Sequence, residues 1–472
     1  MLITHDKIYI NGDWVTPVQA TYANVINPAS EDVMASVCMC SELEVDQAVI
    51  AANAAFASWS ILCSEERQVY LEKSQNKLAE KLEEIAFIIA QEVGTPLAVG
   101  RILQAGFPAA VAEMYVDLTD KVEEEQVANA TITQEAIGVV ACIIPCNFPL
   151  HQAVSKVFPA LSAGCTVILK PSEVAPLTAF LLAEIFDDIG LPAGVFNLVT
   201  GYGHDVGTAL VSHENVDMVS FTGSTSVGKV ISKLAANTLK RVSLDLGGKS
   251  AAVILDDANL SEALSASLHA GLLNSGQNCT AHTRILVPSA LYDQAAEIIV
   301  SIVDQFPLID PLNEGEGLGP LISAEQKQRV LYYIQTGIEE GARLLAGGVE
   351  KPKGIDKGFY VKPTIFADVN PSMIIAKEEV FGPVICLIKY QDEAEAIKIA
   401  NDSVYGLSGA VWSKNVKRAK HVARQLRTGQ VHINGGQINP SAPFGGFKQS
   451  GNGRELGQYG LQEFLEFKAT FN

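Results

Sequence analysis

The sequence predicts an α/β protein that contains two successive parallel sheets. From Ala136 to residue 247, strand-like apolar runs alternate with helix-like segments, and a second series of the same kind starts after Gly248. Repeated strand–helix–strand units of this length favour parallel strands with helices on both faces. The first run, residues 137–144, reads I-G-V-V-A-C-I-I, and such a continuous apolar run is typical of a strand buried on both faces.

The two series predict the following elements. In the first, strands are expected at 137–144, 166–170, 195–199, 216–222 and 241–246. Its helices are expected from Val154 to a stop at Gly164, at 177–189, and from the turn at 223–228 to Ala236. The second series predicts strands at 251–255, 283–288, 384–390, 407–412 and 430–433. Its helices are expected at 260–273, 324–341, 393–400 and 416–426, with one more ending at Ile302.

The residues before Met114 are predicted to be mostly helical. Ser41 and Glu44 have the spacing of a capping box, as do Ser323 and Gln326, and one helical face carries Leu78, Leu82, Ile85 and Ile89. Residues 116–135 and 460–472 are predicted to be strands without a partner in either α/β series. Edge strands of this kind are normally paired or covered. We therefore expect them to pair between subunits of a homodimer or homotetramer.

The composition is that of a globular protein and excludes several classes of partner. Hydrophobic residues make up 48% and charged residues 18% of the 472 residues, and the net charge is −19. Binding to nucleic acid or to an anionic membrane needs a basic face, so we expect neither partner. No apolar run is long enough to span a bilayer, and the first residues lack the apolar core of a signal peptide. We expect a cytoplasmic protein.

The eight cysteines indicate a reducing compartment and no metal site. None belongs to a C-x-x-C pair, and no histidine lies at zinc-ligand spacing from one of them. Cys279 differs from the other seven because it lies in G-Q-N-C-T, between a predicted helix and a predicted strand. A cysteine on such a turn can act as a nucleophile at a cleft. The alternative is a buried core thiol.

Two glycine-rich turns are candidates for binding a phosphate. Residues 201–207 read G-Y-G-H-D-V-G and residues 223–228 read G-S-T-S-V-G, each directly after a predicted strand. Backbone N–H groups at the start of a helix can hold a pyrophosphate. Neither turn matches G-x-G-x-x-G, so an ordinary turn remains the alternative for each.

Eight motifs occur in a fixed order along the chain. They are P-C-N-F-P at 145–149, K-P-S-E at 170–173, F-T-G-S at 221–224, L-D-L-G-G-K at 244–249, G-Q-N-C-T at 276–280, E-E-V-F-G-P at 378–383, P-F-G-G-F-K at 443–448 and S-G-N-G-R-E-L-G at 450–457. Through this series, essentially the whole chain resembles the aldehyde dehydrogenase superfamily of NAD(P)-dependent, hydrolytic enzymes. The resemblance implies a Rossmann-like cofactor domain (1–115 and 137–247), a second α/β catalytic domain (248–442) and a small β oligomerisation element (116–136 and 456–472).

The resemblance implies NAD-dependent oxidation of an aldehyde to a carboxylic acid. Cys279 would add to the aldehyde, and Asn147 would join the Cys279 backbone N–H in an oxyanion hole. After a hydride leaves to the nicotinamide, water would hydrolyse the thioester. The family usually has Glu as the general base where this chain has Asp245, which is one methylene shorter. Asp245 would act through a second water or yield the role to Glu455, or hydrolysis would be slow.

The resemblance also implies a set of cofactor-binding residues. Lys170 and Glu173 would lie by the adenine ribose, and the Glu173 carboxylate would repel a 2′-phosphate, which favours NAD while leaving NADP possible. Glu379 would hold the nicotinamide ribose and Phe381 would pack near the ring; the alternatives are a surface ion pair at Lys170–Glu173 and a core aromatic at Phe381. The full set is Ile144, Lys170, Ser172, Glu173, Gly207, Phe221, Gly223, Ser224, Val227, Leu246, Glu379 and Phe381.

The helix after Asn147 would line the substrate tunnel of such an enzyme. It presents Phe148, His151, Gln152 and Ser155 where the family commonly has bulky apolar residues, and the walls would be completed by Leu273, Ile438 and Phe444. A wider and more polar tunnel is expected, although His151 could instead be a solvated helix residue. Cys146 replaces the usual Trp. It is either an oxidation partner for Cys279 or a small packing substitution.

Two other functions are compatible with the same motifs. One is an aldehyde dehydrogenase that passes the acyl group to coenzyme A, and the retained carboxylate at Asp245 counts against it. The other is a catalytically idle relative that serves as a binding or structural protein. The joint presence of Cys279, Asn147, Lys170 and Glu379 counts against an idle protein.

Overall fold

Two large, mostly parallel sheets organise the protein, and the predicted α/β class is confirmed. The structure is a computed structural model that describes residues 3–119 and 124–471. Part of the predicted strand at 116–135 therefore lies outside the described residues. Within the described ranges, no helix is both long enough and apolar enough to cross a membrane.

The strands follow one another along the chain in two groups. The first group is β1 Ile3–His5, β2 Ile8–Ile10, β3 Asp13–Val15, β4 Thr21–Ile26, β5 Val33–Met39, β6 Glu125–Val127, β7 Ala130–Ala136, β8 Val139–Ile143, β9 Thr166–Lys170, β10 Phe196–Leu198 and β11 Met218–Gly223. The second is β12 Arg241–Leu246, β13 Ala251–Ile254, β14 Arg284–Pro288, β15 Arg343–Ala346, β16 Thr364–Ala367, β17 Val384–Tyr390, β18 Gly409–Trp412, β19 His432–Ile433, β20 Gly451–Asn452 and β21 Leu465–Phe471.

The helices alternate with these strands. They are α1 Glu42–Trp59, α2 Ser64–Glu80, α3 Leu82–Glu92, α4 Leu97–Val99, α5 Phe107–Leu118, α6 Pro149–Ala163, α7 Leu177–Asp188, α8 Thr208–Ser212 and α9 Thr225–Ala235. They continue with α10 Leu260–Leu272, α11 Tyr292–Val303, α12 Ala324–Glu339, α13 Ile374–Lys377, α14 Glu393–Asn401, α15 Val416–Ala423 and α16 Gly457–Gln462. Wider π-helical turns at Gly100–Gly106 and Gly203–Gly207 lead into α5 and α8.

The first large sheet has the strand order β20-β12-β11-β8-β9-β10-β2-β3, with β12 through β10 parallel. Strand β8 is buried on both faces, as its continuous apolar run predicts. Its side chains alternate between two apolar clusters, with Val140 and Cys142 in one and Val139, Ala141 and Ile143 in the other. This sheet therefore lies between two layers of the core.

The second large sheet has the order β15-β16-β17-β14-β13-β18-β19, and only β15 runs antiparallel to its neighbour. The strands predicted at 251–255, 283–288, 384–390, 407–412 and 430–433 all occur, within about two residues at each end. Sequence reasoning missed β15 and β16. These strands have four residues each, which is too short for a pattern of alternation to be distinctive.

The prediction that the residues before Met114 are mostly helical was wrong for the first 39 residues, which contain β1 to β5. Strands β2 and β3 extend the first sheet, and β1, β5 and β4 form a separate sheet. Their hydrogen-bond partners lie far along the chain or across a hairpin, so short local patterns do not reveal them. The predicted helical face carrying Leu78 and Ile85 belongs to two helices, because α2 ends at Glu80 and α3 begins at Leu82.

The two predicted capping boxes differ. At the start of α1 the pair is reciprocal: the Ser41 hydroxyl accepts a backbone N–H, and the Glu44 carboxylate accepts the Ser41 N–H at 2.8 Å. At α12 the Ser323 hydroxyl caps the helix as predicted, but Gln326 does not complete the box. Its side-chain amide donates instead to the carbonyl oxygen of Phe381 at 2.7 Å.

The third sheet consists of β6, β7 and β21. Strand β21 runs antiparallel to β7 over seven residue pairs, from Leu465 opposite Ala136 to Phe471 opposite Ala130. The strand predictions at 116–135 and 460–472 were therefore only partly right, since 116–118 belong to α5 and 460–462 belong to α16. The two strands find partners in each other, outside both large sheets.

A buried carboxyl group gives a testable consequence of this packing. Glu92, the last residue of α3, is fully buried, and one of its oxygens accepts the Leu177 N–H at 3.0 Å at the start of α7. Burial raises the pKa of Glu92 from 4.5 to about 8. The folded protein thus keeps a proton on Glu92 that the unfolded chain releases above pH 4.5.

We expect this group to lower the free energy of unfolding as the pH rises toward 8, by at most about 1.4 kcal/mol per pH unit. In Glu92→Gln the amide oxygen can still accept the Leu177 N–H, but no proton is lost. Thermal unfolding of both proteins from pH 5 to pH 9 measures the difference, with Glu297→Gln, an exposed site, as the control. If the stability of Glu92→Gln and that of the unchanged protein changed with pH in the same way, this would contradict a neutral Glu92 in the folded protein.

Candidate active site between the two sheets

A cleft of about 1350 Å³ separates the two large sheets. On one side it is lined by residues that follow β8, β11 and β12, at the carboxyl ends of these parallel strands. On the other side it is lined by residues that precede β14 and β17. Ligands commonly bind in α/β proteins at the carboxyl edge of such a sheet.

Cys279 lies on a constrained turn in this cleft. Helix α10 ends at Leu272, and Asn274 and Ser275 then adopt left-handed backbone angles, with φ of 52° and 57°. Gly276 follows with φ of 72°, and a Cβ there would stand 2.1 Å from the Gly382 carbonyl oxygen. The G-Q-N-C-T and E-E-V-F-G-P motifs therefore touch, and glycine at 276 allows the contact. The Cys279 side chain is partly exposed to the cleft.

Buried amide groups join the Cys279 turn to the loop after β8. The side-chain amide of Asn147 donates to the Gln277 carbonyl oxygen at 2.9 Å. The Asn147 carbonyl oxygen accepts from Gln104 at 2.8 Å and from Asn274 at 3.1 Å. The Thr95 hydroxyl completes the network by donating to the side-chain oxygen of Asn274 at 2.7 Å. These bonds fix Asn147 beside the turn that carries Cys279.

The sequence indicated Asn147 but gave no sign of its supports. Gln104 lies in the π-helical turns before α5, and Asn274 lies in the left-handed turn after α10. Both are about 40 or more residues away from Asn147 along the chain. The only local signal was a polar pair, Asn274–Ser275, at the end of an apolar helix.

Carboxyl groups surround the thiol. Asp245, next to the end of β12, is 3% exposed, and neither of its carboxyl oxygens has a hydrogen-bond partner among the described residues. Burial, and next the Glu455 carboxylate, raise the pKa of Asp245 well above its usual value. Burial, and next Asp245 and Glu379, also raise the pKa of the Cys279 thiol. The resting thiol is therefore protonated.

Glu455 lies behind the cleft wall in a buried polar network. It forms an ion pair with Lys156 of α6. The Lys156 ammonium also donates to the Thr222 hydroxyl at 2.7 Å, and this hydroxyl donates to the Gln152 side-chain oxygen at 2.9 Å. Sequence reasoning did not single out Lys156 or Thr222. A lysine within the otherwise apolar stripe of α6 was the available signal, because a buried lysine needs a partner.

Five of the predicted cofactor residues line the cleft: Gly223, Ser224, Leu246, Glu379 and Phe381. Ser224 caps α9, since its hydroxyl accepts the Val227 N–H at 3.3 Å. A Cβ on Gly223 would stand 2.4 Å from the Phe221 ring, so the bare backbone of Gly223 is required where Phe221 covers it. Thr225 and Ser226, the first residues of α9, also line the cleft.

The remaining predicted cofactor residues lie outside the lining of this cleft. Lys170, at the end of β9, is buried with its Nζ 3.5 Å from Glu173; burial lowers the pKa of Lys170, while Glu173 acts in the opposite direction. The Ile144 N–H donates to the Lys170 carbonyl oxygen at 3.1 Å, which joins the ends of β8 and β9. The Ser172 hydroxyl closes a local turn, and Gly207 ends the π-helical turns before α8.

Glu379 and Phe381 are held by the backbone around them. A Glu379 oxygen accepts the Gly248 N–H at 3.1 Å, and burial raises the pKa of Glu379 to about 7. A Cβ on Gly247 would stand 2.0 Å from the other Glu379 oxygen, so the carboxylate approaches bare backbone. Phe381 has a left-handed backbone with φ of 58°, which the Gln326 hydrogen bond helps to hold.

The predicted substrate residues lie on the same cleft, except one. Ser155 is 1% exposed and contacts His151 from the buried side of α6. His151 packs against Phe107 with ring centroids 5.1 Å apart, and burial lowers the pKa of His151 to about 4, so it is neutral. The predicted substrate residues that do line the cleft are Phe148, His151, Gln152, Leu273, Ile438 and Phe444.

Cys146 also lines the cleft, as a free thiol. Burial raises the pKa of Cys146 to about 11, so the thiol is protonated at neutral pH. A protonated thiol reacts slowly with oxidants. This favours the small packing substitution over the oxidation partner. In the described ranges, no group of three His, Cys, Asp or Glu side chains is placed to hold a metal ion.

Several known proteins are similar to this chain in sequence and in fold. The model of the aldehyde dehydrogenase family matches residues 14–470. The 3-succinoylsemialdehyde-pyridine dehydrogenase of a Pseudomonas species is 48% identical over 467 residues, which cover 98% of each chain. An aldehyde dehydrogenase structure from Bartonella henselae has a TM-score of 0.97 at 40% identity and covers 100% of both chains.

A second structure carries the ligands expected of such a site. A cysteine-to-alanine mutant of aldehyde dehydrogenase C from Pseudomonas syringae, solved with NAD+ and octanal, has a TM-score of 0.97 at 43% identity. It covers 99% of this chain and 96% of its own. The motifs, the cleft and these similarities agree. The chain belongs to the aldehyde dehydrogenase family, and it is an oxidoreductase that acts on aldehydes.

Proposed function

We propose that this protein oxidises an aldehyde to a carboxylic acid with NAD, through a thiohemiacetal and then a thioester on Cys279. The arrangement of Cys279, Asn147 and Asp245 supports this proposal most strongly. The thiol reaches the cleft, and an amide held by buried hydrogen bonds lies beside its turn. Asp245, whose carboxyl group has no hydrogen-bond partner among the described residues, lies near the thiol. A nucleophile, an oxyanion donor and a base are the groups that acyl chemistry needs.

The first step forms the bond between the thiol sulfur and the aldehyde carbon. The thiol proton passes to water in the cleft, so Asp245 is needed only for the later hydrolysis. The carbonyl oxygen gains the negative charge. The Asn147 amide has two N–H donors, one of which is bonded to Gln277, and the other is available to that oxygen.

The residues of this chain fit a dinucleotide. Ser224 caps α9, and the backbone N–H groups of Thr225 and Ser226 begin a helix whose positive end favours a pyrophosphate. Gly223 has no side chain at this approach. When bound, NAD supplies the hydride acceptor. The NAD+ and octanal bound to the related Pseudomonas syringae enzyme support the same cofactor for this chain.

Hydrolysis then releases the acid. A water molecule adds to the thioester carbon and gives a proton to a carboxylate, and the Cys279 sulfur leaves and regains a proton. We assign the base to Asp245. Glu455 is the second candidate for the base. It forms an ion pair with Lys156, and Lys156 is hydrogen-bonded through the Thr222 hydroxyl to Gln152, which lines the cleft.

The domain division and the assembly belong to the same proposal. We assign 1–115 and 137–247 to cofactor binding, 248–442 to catalysis, and 116–136 and 456–472 to contacts in a homodimer or homotetramer. The exposed rings of Phe467 and Phe471 on β21, 66% and 72% accessible, support a subunit contact there. Eight free cysteines support a reducing, cytoplasmic location.

Glu173 leads to a prediction about the cofactor. Its carboxylate, near Lys170 at the end of β9, should repel a 2′-phosphate, so kcat/KM should be higher with NAD than with NADP. Glu173→Gln should lower the ratio of kcat/KM with NAD to kcat/KM with NADP about tenfold or more. Steady-state rates with both cofactors on one aldehyde provide the measurement, and Glu297→Gln is the control for a surface charge. Equal kcat/KM values in the unchanged protein would show that Glu173 does not contact the ribose.

The short side chain of Asp245 leads to a prediction about the slow step. Rapid mixing with NAD and hexanal, without coenzyme A, should give a burst of NADH followed by a slower steady rate. The burst does not need the reach of the carboxylate to the thioester, whereas hydrolysis does. Cys279→Ala should show neither phase.

Variants of Asp245 show whether the length of its side chain or the presence of its carboxylate limits hydrolysis. Asp245→Glu should raise the steady rate if reach is limiting, and Asp245→Asn should lower it by about 10² or more. If Asp245→Asn leaves the steady rate unchanged, Asp245 is not the base, and Glu455→Gln becomes the informative variant. If no NADH forms with hexanal or with longer and shorter aldehydes, the proposed activity itself fails.

A further inference from the structure

One part of the cleft is not used by the proposed mechanism. It lies between α10 and the strand pair β18–β19, and we call it the histidine arm. Its residues are Glu262, His269, His282, Trp412, His432 and Gly435. None of these six is a lysine or an arginine.

The histidine arm starts close to the candidate nucleophile. His282 follows Cys279 by three residues, so their Cα atoms lie within about 10 Å of each other. The His282 ring meets the His432 ring edge-on, with centroids 5.8 Å apart and an angle of 63° between the rings. A chain of a few carbon atoms bound at Cys279 can therefore reach these two rings.

The strand side of the arm is shaped by a glycine. Gly435 has a left-handed backbone with φ of 75°, and a Cβ there would stand 3.2 Å from the Trp412 ring. A side chain at this position would press against the indole and fill the space beside it. Glycine thus allows the backbone to approach the edge of the indole, and the largely buried Trp412 still lines the cleft.

The helix side of the arm is one stripe of α10. Glu262, Ala266, His269 and Leu273 all line the cleft, and their spacing places them on one helical face. The stripe runs from Leu273, at the start of the turn that carries Cys279, to Glu262 in the first turn of the helix. It provides a continuous wall from the reacting carbon to the outer end of the arm.

The polar atoms of this arm are mainly hydrogen-bond acceptors. His432 Nδ1 lies 2.6 Å from the Gly436 carbonyl oxygen, and His269 Nδ1 lies 2.8 Å from the Ser265 carbonyl oxygen. In a neutral ring, each Nδ1 then carries the proton and each Nε2 is an acceptor. The Glu262 carboxylate is a further acceptor. Burial, and next His432, lower the pKa of His282 to about 3, so this ring adds no positive charge.

We propose that the histidine arm binds the far end of the substrate and selects aldehydes that carry an ammonium group there. An ammonium group offers three N–H donors, which match the Nε2 atoms and the Glu262 carboxylate. Its charge is also attracted to the aromatic rings of the arm. A terminal carboxylate would meet acceptors and a negative charge, which disfavours it. This inference deepens the proposed function and depends on it.

Three six-carbon aldehydes test the selection: ω-aminohexanal, hexanal and adipic semialdehyde. They share a chain length and differ in the terminal group, which is an ammonium, a methyl or a carboxylate. We expect kcat/KM for ω-aminohexanal to exceed that for hexanal about tenfold or more, mainly through a lower KM, and adipic semialdehyde to be the poorest. Glu262→Gln should lower the ratio of ω-aminohexanal to hexanal about tenfold, and His269→Leu should lower it in the same direction.

Glu262 and His269 are exposed positions on α10, so these variants should fold. Glu297→Gln, an exposed site on α11, is the matched control and should leave the ratio unchanged. Oxidation of hexanal or adipic semialdehyde as efficiently as ω-aminohexanal would overturn the selection and leave the proposed function intact. A ratio that does not respond to Glu262→Gln would also overturn it. No NADH from any of the three would instead defeat the proposed function.

Discussion

The contact between the Asn147 loop and the Cys279 turn is the constraint on which the site depends. The Asn147 loop follows β8 of the first large sheet, and the Cys279 turn lies between α10 and β14 of the second. Buried hydrogen bonds from the side-chain amides of Gln104, Asn274 and Asn147 join the two segments. Buried polar groups of this kind are costly to separate, because each would lose its partner away from water. The network therefore sets the position of the Cys279 turn relative to the Asn147 amide.

The second constraint is electrostatic. Asp245, Glu379 and Glu455 approach the thiol, and Lys156 forms an ion pair with Glu455. Burial raises the pKa values of Cys279, Asp245 and Glu379, and neighbouring carboxylates raise those of Cys279 and Asp245 further. Each of these groups therefore keeps its proton to a higher pH than it would in water.

Sequence reasoning reached the parts of the fold that carry strong patterns. The run at 137–144 predicted β8 as a strand buried on both faces, and the alternation after Gly248 predicted most of the second sheet. It failed at β1 to β5, where strands of three to seven residues depend on distant partners. At the site, motif residues such as Cys279 and Gly223 were visible in the sequence. Lys156, Thr222 and Gln104 were not, because their importance comes from contacts across 40 to almost 300 residues.

In the proposed mechanism, Cys279 carries the substrate carbon during turnover. The direct measurement is mass analysis of peptides from protein quenched in acid while it oxidises hexanal with NAD. We expect an added hexanoyl group on the peptide that contains Cys279, in a larger fraction of molecules for Asp245→Asn than for the unchanged protein. NADH production without any acyl group on that peptide, or with the acyl group on Cys146 instead, would contradict the claim.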